Sequence, residues 1–352
     1  MLKQMETAGL TDLHFGLDPA SGLRAIIAIH STARGAAIGG CRFLHYPREQ
    51  DAVTDAMRLA RGMSYKAALA GLPHGGGKAV VIEPEGDYDR TALMQAFGRF
   101  VDELGGRYIT AMDSGSEVSD MDIIETTTRF VSCTSASGDP SPHTALGVFE
   151  GIKAAVRHRL ERDSLAGLSI SIQGLGHVGH ALAAMLHDAG ARLIVADINP
   201  TRVQQCIEQF GARAVPADEI YDAEVDVFSP CGLGAILNAD TIPRLKCAIV
   251  AGSANNQLAV DEDGNRLRAH GILYAPDYVI NAGGLIHVAL HHARIDGARR
   301  DAKIREIGST LTHLFNEADR KNQSVHHVAD LHAESLLQAA AASNAEQERR
   351  HA

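Results

Sequence analysis

An α/β fold in two domains is what this sequence predicts, and three observations carry that prediction. The chain is 352 residues long, more than one ordinary hydrophobic core accommodates. Short runs rich in apolar and β-branched residues alternate with longer stretches whose apolar residues recur at helical spacing. Between them, Ser135 to Pro142 gathers Gly, Ser and Pro into a breaker. A first domain over residues 1–135 and a second over 136–327 are therefore expected.

The first domain opens with the strand Leu23–His30, after the turn Asp18-Pro-Ala-Ser-Gly22. Ile38-Gly39-Gly40-Cys41-Arg42-Phe43 is a second strand, whose glycines permit close approach. From Glu49 to Ala70 a helix is marked by Val53, Met57, Ala60, Met63, Ala67 and Ala70, with Gly62 interrupting the stripe. It runs into GMSYKAALAGLPHGGGK, which carries Lys66 and Lys78 and three glycines before the second lysine. Lysine is the cation most readily turned into a base by burial or by a second positive charge. Ala79–Ile82 is the next strand. A helix over Asp87–Leu104, capped by Asp89, leads to the strand Arg107–Ala111, which ends at Met112-Asp113.

The second domain opens with a helix over His143–His158. The strand Ser169–Gln173 then meets Gly174-Leu175-Gly176-His177-Val178-Gly179, a helix from His180, and the strand Leu193–Asp197 ending in an acid. Strand, glycines, helix, strand and acid in this order form the dinucleotide fingerprint of a Rossmann domain. The glycines allow a tight turn and a close pyrophosphate, and the helix N-terminus offers N–H groups to it. Asp197 would bind ribose hydroxyls and repel a 2′-phosphate, so NAD is the expected cofactor, although Arg202 nearby would suit NADP. Strands at Val225–Phe228 and Ala248–Ala251 continue the sheet and end in loops holding Cys231 and Asn255-Asn256. These loops should face the cofactor; the two asparagines would equally suit ordinary turns. The chain after Asn281 is helical, with a charged, frayed tail from Asn344.

Composition narrows the partners. Apolar content of 45% and charged content of 22% suit a water-soluble globular chain. A net charge of −10, with basic residues scattered, speaks against nucleic acid. No run reaches the length of a membrane span, and the N-terminus lacks the apolar core of a signal peptide. Five cysteines without a Cys-x-x-Cys pair suit free thiols in a cytoplasm. Among the eighteen histidines, the pairs His291-His292 and His326-His327 and the spacing of His287 and His291 lack metal-site character, so no metal is expected.

The motifs GGCRF, GMSYKAALAGLPHGGGK, GRYITAMDSG, DPSPHTALGV, QGLGHVG with Asp197, PCGLGA, AGSANNQL and APDYVINAGG occur in this order. Together, from about Leu23 to Val288, they resemble the amino acid dehydrogenase family in its leucine, valine, phenylalanine and tryptophan branch. The resemblance implies a substrate-binding and oligomerisation domain first, a Rossmann domain second, and an active site in the cleft between them. It implies that C-terminal helices of about 328–352 pack back on the first domain, and that the chain is a homo-oligomer. Lys66 matches the lysine that holds the substrate α-carboxylate, Lys78 the catalytic lysine and Asp113 its carboxylate partner. Thr144 matches a hydroxyl contacting the nicotinamide amide, and Cys231 and Asn256 match positions lining cofactor and substrate. Ile38 stands, beside Gly39, where glutamate-specific relatives have a lysine, and Ala111, Leu285 and Val288 complete an apolar pocket.

The implied reaction is NAD-dependent oxidative deamination, with leucine, valine or isoleucine as substrate and phenylalanine or tryptophan as the alternative. Lys78 is expected to work neutral, its charge opposed by Lys66 and desolvation. A hydroxy-acid dehydrogenase would want a histidine base and a carboxylate-binding arginine, against the lysine pair. Three departures from the family pattern stand out: Met112 for Glu, Ser114-Gly115-Ser116 for Val-Gly-Thr, and His287 for Asn, followed by Ala289-Leu-His-His292. They motivate a further alternative, a non-catalytic sensor of NAD or amino acids.

Overall fold

The computed structural model describes residues 1–351, which fall into two compact units. One holds Met1–Asp139, Val288–Arg294 and the residues from Ala333 onward; the other holds Pro140–His287 and Ile295–His332.

In the first unit the order is α1 (Leu2–Ala8), β1 (Asp12–Asp18), β2 (Leu23–Ser31), β3 (Ala37–Leu44), α2 (Glu49–Leu69), β4 (Gly75–Ile82), α3 (Arg90–Glu103), β5 (Tyr108–Met112) and α4 (Val118–Glu125). The strands form one sheet, β1-β2-β4-β3-β5. β2 is antiparallel to β1 and β4, whereas β4, β3 and β5 are parallel. Ala52, Val53, Ala56, Met57 and Ala60 of α2 pack on Ile26 and Ala28 of β2 and on Val80 and Ile82 of β4. Small side chains bring helix and sheet close, and at Gly76 the backbones nearly touch: an added Cβ would stand 1.9 Å from Ser64 N. Added Cβ atoms at Gly75 and Gly77 would stand 1.8 Å from Ser31 O and 2.9 Å from the Tyr108 ring. β4 therefore begins at Gly75 and not at Ala79; the glycines are strand residues, hemmed in by their neighbours. Asp89 caps α3 by accepting from Ala92 N at 3.0 Å.

The second unit begins with α5 (Ser141–Leu160), β6 (Ser169–Gln173), α6 (His177–Asp188), β7 (Arg192–Ala196), α7 (Pro200–Phe210) and β8 (Arg213–Ala214). It continues with β9 (Val227–Pro230), β10 (Ile249–Val250), α8 (Glu262–Ala269), β11 (Leu273–Tyr274) and α9 (Asp277–Ile280). α10 (Gly283–His292), α11 (Gly297–Lys321) and α12 (Val325–His351) complete the chain. α10 passes from this unit into the first after His287, and α12 after His332. The six strands are all parallel in the order β11-β10-β9-β6-β7-β8, a doubly wound sheet whose order reverses between β6 and β9. Phe228, Val250, Leu267, Ile272 and Tyr274 share its core with Ile194 and Leu237. α6 starts at His177, ahead of the His180 read from periodicity, because Gly176 is its N-cap. The expected frayed tail is instead the end of α12, where Asn344 Nδ2 donates to Ala33 O at 2.8 Å. No helix among the described residues is long and apolar enough to cross a membrane.

Candidate active site

Three parallel strands of the first unit set side chains abreast. The pairs Ile38↔Gly76 and Cys41↔Ala79 put Gly40 beside Lys78, and Gly40 pairs with Ala111 on its other side. Strand residues two apart share a face. Gly76, Val80 and Ile82 meet α2 on that face, so Lys78, Ile38, Gly40, Arg42, Ala111 and Asp113 belong to it as well. Gly40 leaves the space across which Lys78 Nζ reaches Asp113 Oδ2 at 2.7 Å. A Cβ there would stand 2.6 Å from Asp113 Cβ.

Asp113 is held from several sides. Arg42 Nε lies 3.2 Å from the same Oδ2, and Arg42 Nη1 lies 2.8 Å from Asp55, which also accepts from Tyr46 OH at 2.7 Å. Burial raises the Asp113 pKa, but Lys78 and then Arg42 outweigh it and bring it from 3.8 to about 2. Asp113 is thus a carboxylate at neutral pH. Its backbone is fixed by Ser116, whose hydroxyl accepts from Asp113 N at 3.0 Å and donates to Cys41 O at 2.8 Å. Serine thereby retains the hydroxyl of the threonine it replaces. Arg42, Asp55 and Tyr46 carry no role in the sequence reading, although an arginine in an otherwise apolar strand signals a buried counter-ion.

The other expected substrate residues are distributed unevenly. Ile38 and Ala111 are buried, and Lys66 sits half-buried in the last turn of α2. Gly39 serves packing: its carbonyl accepts from Tyr108 OH at 2.7 Å, and an added Cβ would stand 1.8 Å from Gly77 O. Val288 belongs to the first unit, with its carbonyl 3.5 Å from Ser132 Oγ, whereas Leu285 belongs to the second.

In the second unit the fingerprint lies at the reversal of strand order. Gly174, at φ +94°, packs against the loop after β9; an added Cβ would meet Gly232 at 2.7 Å. Gly179 is closed off by Gly174 O, 2.0 Å from an added Cβ. At Gly176 such an atom meets nothing within 4 Å, so the backbone is open where a pyrophosphate would approach the start of α6. The residues present therefore fit a dinucleotide. Leu175 is buried, Val178 half-buried and His177 exposed at the first turn of α6. Asp197 accepts from Leu175 N at 2.6 Å and Asn199 N at 2.7 Å, with Arg202 Nη1 4.0 Å away.

Cys231 Sγ lies 3.6 Å from Ser229 Oγ. Asn255 Oδ1 accepts from Asn281 Nδ2 at 2.8 Å, and Asn256, at φ +52°, gives its carbonyl to Ala235 N at 2.6 Å. The asparagines tie one loop to the next. Thr144 lies at the start of α5, its hydroxyl 2.5 Å from where a Cβ on Gly284 would be. Beside it, His143 stacks on His287 with ring centroids 3.7 Å apart, which gives that departure from the family pattern a packing partner.

A doubly wound sheet with an open glycine turn and an acid after its second strand has the features of a dinucleotide-binding domain. Family models narrow this. That of the Glu/Leu/Phe/Val dehydrogenase dimerisation domain matches residues 11–130, and that of glutamate/leucine/phenylalanine/valine dehydrogenase matches residues 196–347. The chain belongs to this family and is an amino acid dehydrogenase, which implies a nicotinamide cofactor. It is 47% identical to leucine dehydrogenase of Geobacillus stearothermophilus over 343 residues, covering 96% of this chain and 93% of the relative. It is 44% identical to valine dehydrogenase of Streptomyces coelicolor, covering 86% and 85% of the two chains. The crystal structure of L-tryptophan dehydrogenase from Nostoc punctiforme superposes with a TM-score of 0.85 at 40% identity, covering 97% of this chain and 99% of that one.

Proposed function

We propose that the chain catalyses the reversible, NAD-dependent oxidative deamination of a branched-chain L-amino acid, leucine first with valine and isoleucine. The products are the 2-oxo acid, ammonia, NADH and a proton. The observation that carries the reading is the pair formed by buried Lys78 and half-buried Asp113, 2.7 Å apart on a face that also carries Ile38 and Ala111. That face offers proton transfer and apolar surface, and Ile38 gives an acidic substrate side chain no cation.

Lys66 holds the α-carboxylate by its charge. A bound nicotinamide would supply the acceptor for the hydride that leaves Cα. Water then attacks the substrate iminium, and Lys78, after passing its proton to Asp113 across their hydrogen bond, takes one from that water. Asp113 exchanges protons with Lys78 across their hydrogen bond and with the substrate nitrogen, so that ammonia can leave. Arg42 and Ser116 hold the carboxylate in position throughout. In the second unit Gly174–Gly179 receives the pyrophosphate and Asp197 the ribose, which favours NAD over NADP. Thr144, Cys231, Asn255 and Asn256 line the cofactor, and Leu285 and Val288 extend the apolar pocket.

A cytoplasmic homo-oligomer completes the proposal, supported by the free cysteines and the dimerisation-domain model match. Light scattering measures the assembly. NADH absorbance with L-leucine, L-valine, L-phenylalanine, L-tryptophan, L-glutamate and a 2-hydroxy acid tests the substrate. Wild-type turnover in Lys78→Ala would overturn the proton-transfer assignment. Pocket differences of one methylene are worth only about 1–3 kcal/mol, so several branched-chain substrates should turn over.

A further inference from the structure

Away from the residues assigned to substrate and cofactor, the second unit gathers two imidazoles and a carboxylate. His313 and Glu317, four apart on α11, share a helix face, and His332 comes from α12. One ligand atom from each lies within 4.8 Å of the others. We infer that His313, Glu317 and His332 form a site for one divalent transition-metal ion of the zinc class, joining α11 to α12.

The distances favour a shared ion over a direct contact. His313 Nε2 and Glu317 Oε2 are 3.6 Å apart, too far for a hydrogen bond. That separation suits two ligands bonded to one ion at about 2.0–2.1 Å. The other carboxylate oxygen, Oε1, is held by Lys321 at 2.7 Å and Arg320 at 3.5 Å. Those cations anchor the carboxylate from behind and leave Oε2 directed at His313, as outer partners of metal ligands do. The rings of His313 and His332 are tilted by 53° with centroids 5.6 Å apart, so they do not stack.

Ligand chemistry selects the ion. Imidazole with one carboxylate suits zinc, nickel or cobalt, whereas magnesium and calcium prefer oxygen ligands throughout. Three protein ligands leave room for water on the ion, and His313 is exposed, which gives the ion an entry. An ion bound to the folded chain alone would stabilise it. The sequence conceals the site because the third ligand lies on another helix.

Titration calorimetry of the metal-free full-length chain with zinc chloride tests this. One ion per chain is expected, with affinity at least tenfold weaker in His313→Ala and in His332→Ala, and a zinc-induced rise in Tm lost in both. Glu317→Gln, which keeps shape and hydrogen bonding, should weaken binding as well. Affinity should fall on acidification, because the metal needs lone pairs that protons would occupy. Absence of zinc binding, or binding of equal strength in the histidine variants, would overturn the site.

Discussion

Gly40→Ala adds one methyl group to the middle of β3, at 2.6 Å from Asp113 Cβ, 2.9 Å from Met112 O and 3.3 Å from Asp113 Cγ. β3 is paired on both edges, with β4 and β5, so it cannot slide away. Carbon atoms rest about 3.5–4.0 Å apart, so Asp113 must retreat by about 1 Å. A 2.7 Å bond to Lys78 does not survive such a move. Overpacking of this kind costs about 1–3 kcal/mol of stability. A displacement of about 1 Å in catalytic groups costs on the order of 10² in rate. NADH formation at saturating L-leucine and NAD, measured well below the unfolding transition, should therefore show kcat lowered about 10²-fold. Gly62→Ala is the matched control: nothing stands within 4 Å of the added atom, and alanine in place of a helical glycine should raise stability by about 0.5–1 kcal/mol. Wild-type kcat in Gly40→Ala would refute the claim that this glycine keeps the pair together.

Further outcomes follow from the same geometry. Because the folded pKa of Asp113 lies below 3.8, its ionisation stabilises the fold above about pH 4, and that contribution disappears as pH falls through about 2. On the order of 2 kcal/mol is involved, so denaturant titrations should show the stability gap between wild type and Asp113→Asn narrowing over that range. Arg42→Met removes one of the two cations that hold Asp113 down; the acidic limb of the kcat/KM profile should move to higher pH and kcat should fall about tenfold or more. Asp197→Ala takes an acceptor from Leu175 N and Asn199 N and an acid from the ribose site, so the KM for NAD should rise and the preference over NADP should shrink.

The second unit was the more legible in the sequence, because its fingerprint is local: strand, glycines, helix and acid follow one another along the chain. The glycines before Lys78 misled for a physical reason. Consecutive glycines suggest a loop, and only their neighbours in space, Ser31, Ser64 and Tyr108, reveal a crowded strand. Lys78 lies in β4 and Asp113 just past the end of β5, and their relation entered through family resemblance, not spacing. Arg42, Asp55 and Tyr46 went unread because their hydrogen bonds join β3 to the start of α2, a pairing no periodicity encodes. The charged tail suggested fraying, and a tertiary hydrogen bond from Asn344 to Ala33 accompanies the helix found there.

The division of the chain also has a bearing on its synthesis. The first unit is begun before the second but completed after it, since its residues from Ala333 are made only once His332 has been passed. The dinucleotide-binding unit has all its residues once His332 has emerged. Tyr65 on α2 waits until then for Glu334, which accepts its hydroxyl at 2.6 Å. A message cut short just beyond His332 would therefore yield a chain with every residue of the dinucleotide-binding half but with the lysine-bearing helix short of a partner.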